Sequence, residues 1–400
     1  MEKTQNNNIR IALFVALASI LQISESLIPH PVPGLRLGLA NILTITAMVM
    51  LGFRYALEIT VLRTILSSFI TGTFMSPGFI LSFSGAITST LIMGFFFHFS
   101  ALKGKHGLSI IGVSIIGAFS HNMVQLLLAY FILIRHSGIF MFLPWLSVGA
   151  VITGYLVGIV ARGVCRNLEK LDDADLHEVE GQCIPSKITS HYAPGHSCLH
   201  SVSGRAKLIF LLTLSIIVLI NENFRIYLFL FTFLAAASVL SQTPFSFLFA
   251  KIKRYSSLIL FSFLLPVFFN SGTGSIITIA NFDITLEGLT TGTVFASRIL
   301  FLILASALVV RTTPPEEITK GLAFLLSPLK YTGISTRRTA EILSMSWAAI
   351  PLLGEKVRST IFNADFKKAK TYRELFPLLS ELISSLYLET EKTGELSKKD

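Results

Sequence analysis

The chain has 400 residues, of which 52% are hydrophobic and only 14% charged, and its mean hydropathy is +0.68. Soluble domains average about 25% charged residues, so soluble enzymes, nucleic-acid modules and disordered tails are poor fits and an integral membrane protein is indicated. The formal net charge of +10 is then assigned to basic cytoplasmic loops that set topology and face anionic lipid head groups, with no nucleic-acid partner.

A membrane-crossing helix needs about 20 predominantly apolar residues. In chain order, candidate spans fall at 10–28, 37–53, 55–72, 78–99, 108–134 and 140–164. The first runs on into a polytopic pattern without a small-residue cleavage site, so it reads as a span and not as a cleavable signal. A polar stretch from 165 to 204 follows, with a charge run at 169–180. Apolar segments resume at 207–220, 226–240, 256–269 and 290–310, and the remainder is amphipathic and broken at Pro328, Pro351 and Pro377. The pattern predicts an all-α integral membrane protein of about ten transmembrane helices in two helical modules, residues 8–165 and 205–400, joined by a cytoplasmic linker at 166–204.

Basic residues in short loops fix orientation. With the N-terminus inside, Lys3, Arg10, Arg54, Lys103, Lys105, Arg162, Arg166, Lys251, Lys253, Arg254 and Arg311 are cytoplasmic, and Arg36, Arg135 and Arg225 fall outside. N-terminus, linker and C-terminus are therefore expected on the cytoplasmic side of a bacterial-type inner membrane. Three cysteines cannot make a disulfide framework, which fits a reducing compartment.

Polar groups inside spans are costly and face a bundle interior or a cavity. His121, Asn122 and Gln125 share one helical face by their spacing. Glu25 ends the first span, and Arg36 and Asn41 flank entry to the second. Arg36, Asn41, His121, Asn122 and Gln125 are the candidate substrate-binding residues, in a pocket opening outward beneath the proline-rich loop 29–34. The competing reading is interhelical hydrogen bonding that fixes packing alone. Arg63 and Glu58, five apart in the third span, are read as structural. Ala12, Ala16 and Ser19 form a small-residue ridge on the first helix, of the kind that permits close helix approach.

Sequence motifs for catalysis fail, and neither cofactor nor metal is expected. Cys183, His191, His196, Cys198 and His200 have no recognised zinc spacing. Lys103-Gly104-Lys105 lacks the glycine and hydroxyl residue of a phosphate-binding loop, having Phe99 and His106 there. Asp172-Asp173-Ala174-Asp175 is followed by Leu176 where a magnesium-diphosphate motif needs another aspartate.

Family resemblance comes from ordered motifs. Tyr192-Ala193-Pro194-Gly195-His196-Ser197-Cys198-Leu199-His200 with Gly204-Arg205-Ala206-Lys207-Leu208 resembles the start of the transmembrane T component of energy-coupling factor (ECF) transporters. Thr285, Glu287-Gly288-Leu289 and Arg298 resemble the approach to that family's next span. Thr312-Thr313-Pro314-Pro315-Glu316-Glu317-Ile318, Leu325-Leu326-Ser327-Pro328-Leu329-Lys330 and Ile350-Pro351-Leu352-Leu353 with Glu355 are also similar to it. That resemblance accounts for His196, Cys198 and His200 without a metal. It implies ECF-type ATPase subunits supplied in trans. The family's Ala-Arg-Gly coupling motifs are absent: Ile361-Phe362-Asn363 and Glu391-Lys392-Thr393-Gly394 stand at their places. Arg358, Lys367 and Lys368 are the candidate ATPase contacts instead.

The first half, through Pro33-Gly34-Leu35-Arg36-Leu37-Gly38-Leu39-Ala40-Asn41, Gly72-Thr73-Phe74 with Ser76-Pro77, and Gly117-Ala118 with His121-Asn122 and Gln125-Leu126, resembles the Gx transporter family. That family also carries the name heptaprenyl diphosphate synthase component I. Six spans and the Ala12, Ala16 ridge are similar to ECF substrate-binding S components, where such a ridge contacts the T component. The two resemblances together imply an S–T fusion that takes up a small vitamin-like molecule or a cofactor or quinone precursor, with membrane lipid and separate ATPases as partners and no enzymatic activity of its own. The alternatives are a membrane accessory of prenyl diphosphate synthesis and a non-transporting scaffold.

Overall fold

The computed structural model describes residues 2–27, 37–102, 108–134, 137–172, 195, 197–269, 275–279, 282–325, 327, 336–362 and 376–387. The first half contributes α1 (Glu2–Leu27), α2 (Leu39–Met50), α3 (Phe53–Thr71), α4 (Pro77–Leu102), α5 (Ile110–Ala129) and α6 (Leu143–Asp172). A π-helical turn, Tyr130–Ile134, extends α5, and a 3-10 segment, Ser137–Phe142, leads into α6. The second half contributes α7 (Cys198–Ser201), α8 (Gly204–Ile220), α9 (Phe224–Leu240), α10 (Phe245–Arg254), α11 (Ser256–Phe269), α12 (Leu286–Thr312), α13 (Pro315–Leu325) and α14 (Thr336–Phe362). A final helix, α15, covers 376–387.

Each of the ten apolar segments is helical, and local chemistry sets the ends. Ser109 accepts from Gly112 N at 3.2 Å to start α5, and Thr285 accepts from Gly288 N at 3.0 Å to start α12, both N-caps that satisfy orphan donors. Pro77 and Pro315 occupy first helical positions, where a missing N–H costs nothing. Gly72, at φ 70°, closes α3 in the left-handed conformation, which glycine adopts freely.

Among the described residues, five helices are long and apolar enough to cross a membrane, or six if α10 and α11, bent by 58° at their junction, form one broken span. The 12 residues of α2 extend about 18 Å at 1.5 Å per residue, well short of a hydrocarbon core of about 30 Å. The 19 residues of α3 carry Arg54, Glu58 and Arg63, which lowers their apolarity. One short antiparallel hairpin, β1 (Ser275–Ile279) and β2 (Phe282–Thr285), lies between α11 and α12 with Ile277 opposite Ile284.

Glycine brings α6 onto α5: a Cβ on Gly154 or Gly158 would stand 2.6 or 2.7 Å from the Cα of Ile115 or Ile111. Without side chains at those two points the helices meet backbone to backbone, the usual device where the hydrophobic effect cannot drive association. One continuous buried core runs through both halves, from Phe14 and Ile59 to Phe301 and Leu343. At the joint, α1 lies against both α3 and α14, which also touch each other. The Phe14 and Tyr387 rings stand 4.9 Å apart between α1 and α15.

Candidate functional site

The six helices of the first half converge on one polar cavity of about 50 Å3, room for a few waters. Gln22 and Glu25 come from α1, Asn41 from α2, Arg63 and Thr64 from α3, and Ser82 from α4. Opposite them stand Ser114, His121 and Asn122 of α5 and Thr153 of α6.

Arg63 organises one wall. It is buried, and its guanidinium donates from Nη1 to Gln22 Oε1 at 2.9 Å and from Nη2 to Asn41 Oδ1 at 2.8 Å. A planar fork with several fixed donors suits two acceptors on different helices. Glu25, also buried, accepts from Gly38 N at 2.8 Å and Leu39 N at 3.2 Å. Its carboxylate therefore caps α2, whose preceding Gly38 has no side chain to do so, and negative charge at a helix N-terminus is stabilising. On the far wall, buried Asn122 donates from Nδ2 to Leu146 O at 3.0 Å, tying α5 to α6.

The expected substrate residues are thus divided. Asn41, His121 and Asn122 share the cavity wall. Gln125 is buried one turn further along α5, beside Gly85, outside that wall, and Arg36 lies outside the described residues. Arg63, Gln22, Glu25, Ser82, Ser114 and Thr153 also line the cavity, beyond the residues that the sequence proposes for substrate. For Arg63 the signal was available, because an arginine in an apolar span is a functional pointer by its cost alone. The serines and threonines gave none, since such residues bond back to their own helix in any span, as Ser82 does to Gly78 O at 2.7 Å.

Ala12 and Ala16 are both buried, and Ser346 Oγ of α14 lies 3.0 Å from Ala12 O, its one proton shared between that carbonyl and Ile342 O of its own helix at 2.6 Å. Arg358 falls in α14, but its side chain lies outside the described residues, as do Lys367 and Lys368. In the linker, Cys183, His191 and His196 also lie outside them, and His200 Nδ1 is 2.7 Å from Ser197 Oγ.

The second half holds a larger cavity of about 430 Å3 between α8, α9 and α12, walled by Phe210, Leu214, Phe233, Leu234 and Phe301. Its amine, Lys207 Nζ, donates to Thr312 O at 2.8 Å. Nearly all of its wall is hydrocarbon, so it offers a polar ligand little purchase; the small cavity has the convergent polar groups that fix orientation.

Around Lys207 the two motif segments meet. Gly204 N donates to Glu317 Oε2 at 3.3 Å, and a Cβ on Gly204 would stand 2.7 Å from Glu317 O. At the other end of this half, buried Arg298 donates to Tyr227 Oη at 3.3 Å, Asn221 O at 3.1 Å and Ile132 O at 3.2 Å.

A predominantly helical, multi-pass chain with this second half is a membrane component of an ECF-type transporter. Residues 195–395 match the family model of the cobalt transport protein CbiQ, and residues 14–164 match that of heptaprenyl diphosphate synthase component I. The chain belongs to the CbiQ cobalt transport protein family, with the second family's domain joined ahead of it. It is similar to the energy-coupling factor transporter transmembrane protein EcfT of Bacillus subtilis (strain 168), 32% identical over 216 residues, covering 52% of this chain and 81% of the relative. The EcfT of Exiguobacterium sibiricum is 30% identical over 215 residues, covering 51% and 81%. That of Listeria innocua is 29% identical over 213 residues, covering 51% and 80%.

Proposed function

We propose that this chain is an S–T fusion of an ECF transporter, in which residues 8–165 bind substrate, 166–204 link, and 205–400 form the scaffold. The observation that carries the reading is the convergence of six helices on one polar cavity, in a unit whose first helix is hydrogen-bonded to the scaffold at Ala12. Arg63, Asn41, His121 and Asn122 offer the donor and acceptor types that fix a small polar molecule; at about 50 Å3 the cavity is closed down, and binding a vitamin-like molecule or cofactor precursor requires it to open. The N-terminus, linker and C-terminus are cytoplasmic in this reading.

On that topology, Thr71 ends α3 on the outer side, whereas α10 and the end of α12 lie inside. Lys251 Nζ of α10 nevertheless donates to Thr71 O at 3.0 Å, and a Cβ on Gly72 would lie 3.6 Å from Ala307 Cα. The contact supports a binding unit tilted against the scaffold, its outer end carried inward, as delivery of substrate to the cytoplasm requires. ATPase subunits act in trans, through Arg358 of α14 and the basic residues Lys367 and Lys368.

Purification of the full chain with its host's ECF ATPases, followed by mass spectrometry of retained small molecules, tests both parts. ATPase recovery should fall in an Arg358→Ala, Lys367→Ala, Lys368→Ala variant; equal recovery moves the contact elsewhere, and none from the parent removes ATP coupling. A second reading, an accessory role in prenyl diphosphate synthesis, is favoured by the name of the family that residues 14–164 match. Glu25 is the one carboxylate on the cavity wall among the described residues and is engaged with α2, which leaves little to hold a magnesium diphosphate. Prenyl elongation by a reconstituted complex would revive that reading.

A further inference from the structure

Contacts between the halves differ in how much positional information they carry. The Ser346 hydroxyl donates to a main-chain carbonyl, that of Ala12. Lys251 and Arg298 also end on main-chain carbonyls, those of Thr71 and Ile132. Every residue supplies a carbonyl, and Ala12 and Ala16 present a low-relief surface. If α1 moved one turn along α14, about 5.4 Å, the serine would meet an equivalent acceptor.

Arg338 is different. Near the start of α14, it donates from Nε to Asn8 Oδ1 of α1 at 2.8 Å and from Nη2 to Glu58 Oε2 of α3 at 3.3 Å. The guanidinium also lies over the Tyr55 ring, 5.5 Å from its centroid. Asn8 is 6% exposed, and the side chains of Arg338 and Glu58 are 28% and 10% exposed. Two acceptors on two helices satisfy a rigid fork in one position only. A one-turn slip separates both, leaving a carboxylate whose Oε1 already has no hydrogen-bond partner among the described residues. Stripping the partner from a mostly buried charge is strongly unfavourable even where the pair itself adds little net stability, and fixing register is the best-attested use of such pairs.

We infer that Arg338, with Glu58 and Asn8, is the register key of the joint: it selects which position of α14 meets α1 and α3, and so sets the tilt of the cavity-bearing unit. This goes beyond the transport reading, since register is defined without substrate or ATPase and each idea can fail alone.

Register is read by disulfide trapping in membranes. Full-length chains carry Ala12→Cys with Ser346→Cys for the native register, or with Ile342→Cys or Ile350→Cys for a one-turn displacement. In the parent background the 12–346 pair should dominate. Arg338→Ala should lower the ratio of native to displaced cross-links by at least about tenfold, below the effect of breaking a fully buried pair because the Arg338 side chain is 28% exposed. Arg338→Lys should not restore it, because a point charge cannot bridge two fixed acceptors. The exchange Glu58→Arg with Arg338→Glu should restore it, since Asn8 can donate as well as accept. An unchanged ratio in Arg338→Ala overturns the inference. Should Arg338→Ala fail to fold, the exchange decides: recovery of native-register cross-linking supports the key, and an exchanged chain that recovers neither folding nor register rejects it.

Discussion

Arg63 and Asn41 are 22 positions apart in sequence and meet at 2.8 Å, Nη2 donating to Oδ1. With Gln22 on the other arm of the guanidinium, this ties α1, α2 and α3 together at the cavity. The charge is thus enclosed in neutral amide acceptors, and Glu58, five residues away on the same helix, is engaged with Arg338 instead.

Replacing Arg63 with methionine keeps most of the side-chain volume and removes every donor. Two part-buried amide oxygens, those of Gln22 and Asn41, then lose their partners, at no more than about 1–3 kcal/mol each. The expected outcome is a clearly lower melting temperature in detergent together with loss of any copurifying ligand. An Arg63→Met chain that melts like the parent would show that the α1–α3 wall is held by packing alone.

His121 and Asn122 should separate by readout. Asn122 is bonded across to α6, so Asn122→Leu should lower stability by about 1 kcal/mol. His121 lines the cavity, and His121→Leu should change ligand retention, measured by mass spectrometry, more than thermal stability. The reverse pattern would assign His121 to packing and Asn122 to the ligand.

Glu25 substitutes for a missing cap. Glu25→Ala should destabilise α2 by about 0.5–2 kcal/mol, the range for loss of an N-capping acceptor. Hydrogen exchange at Gly38 and Leu39, whose amides it holds, should accelerate. Unchanged protection there would mean that other acceptors take over.

Ala12 is 2% exposed and Ala16 is fully buried. Leucine at either position adds three carbons to a filled site, which costs about 1–3 kcal/mol by overpacking. Cross-linking of α1 to α14 should fall in the Ala12→Leu, Ala16→Leu chain. Retained cross-linking at the parent rate would place the small-residue ridge outside the joint.

Glu317 supplies a pH signature. The Gly204 N–H bond, followed by the Lys320 ammonium, holds its carboxyl below the ordinary carboxylate range. A carboxylate depressed in the folded state adds stability above its unfolded pKa, and that contribution is lost as pH falls through the folded value. The parent should therefore lose thermal stability on acidification through and below the ordinary carboxylate range, and Glu317→Gln should lose less over the same interval. Parallel melting curves for the two chains would exclude Glu317 as a contributor.

Much of this protein was legible as one-dimensional pattern. Apolar stretches marked ten segments that are helical among the described residues, five or six of them long enough to span, because burying backbone in hydrocarbon leaves few alternatives to the helix. The spacing grouped His121, Asn122 and Gln125, of which the first two line the cavity and Gln125 lies outside its wall. The segments around Lys207 and Thr312 were read separately as family motifs, and they are halves of one contact.

Partner choice was not legible. Periodicity states which face of a helix is buried, and stops before saying what it is buried against. Composition pointed to the membrane class, the position of apolar runs to the helices, and the polar stretch from 165 to 204 to a division into two halves with polar groups in the first. Tertiary structure decided that Arg63 answers Gln22 and Asn41, that Glu58 answers Arg338 from 280 residues away, and that Lys251 closes α3 from 180 residues away. The physical reason is that a buried ionisable group takes the acceptor that helix packing brings within about 3 Å, and that distance is set by crossing geometry and by small residues such as Gly154 and Gly158, not by separation along the chain.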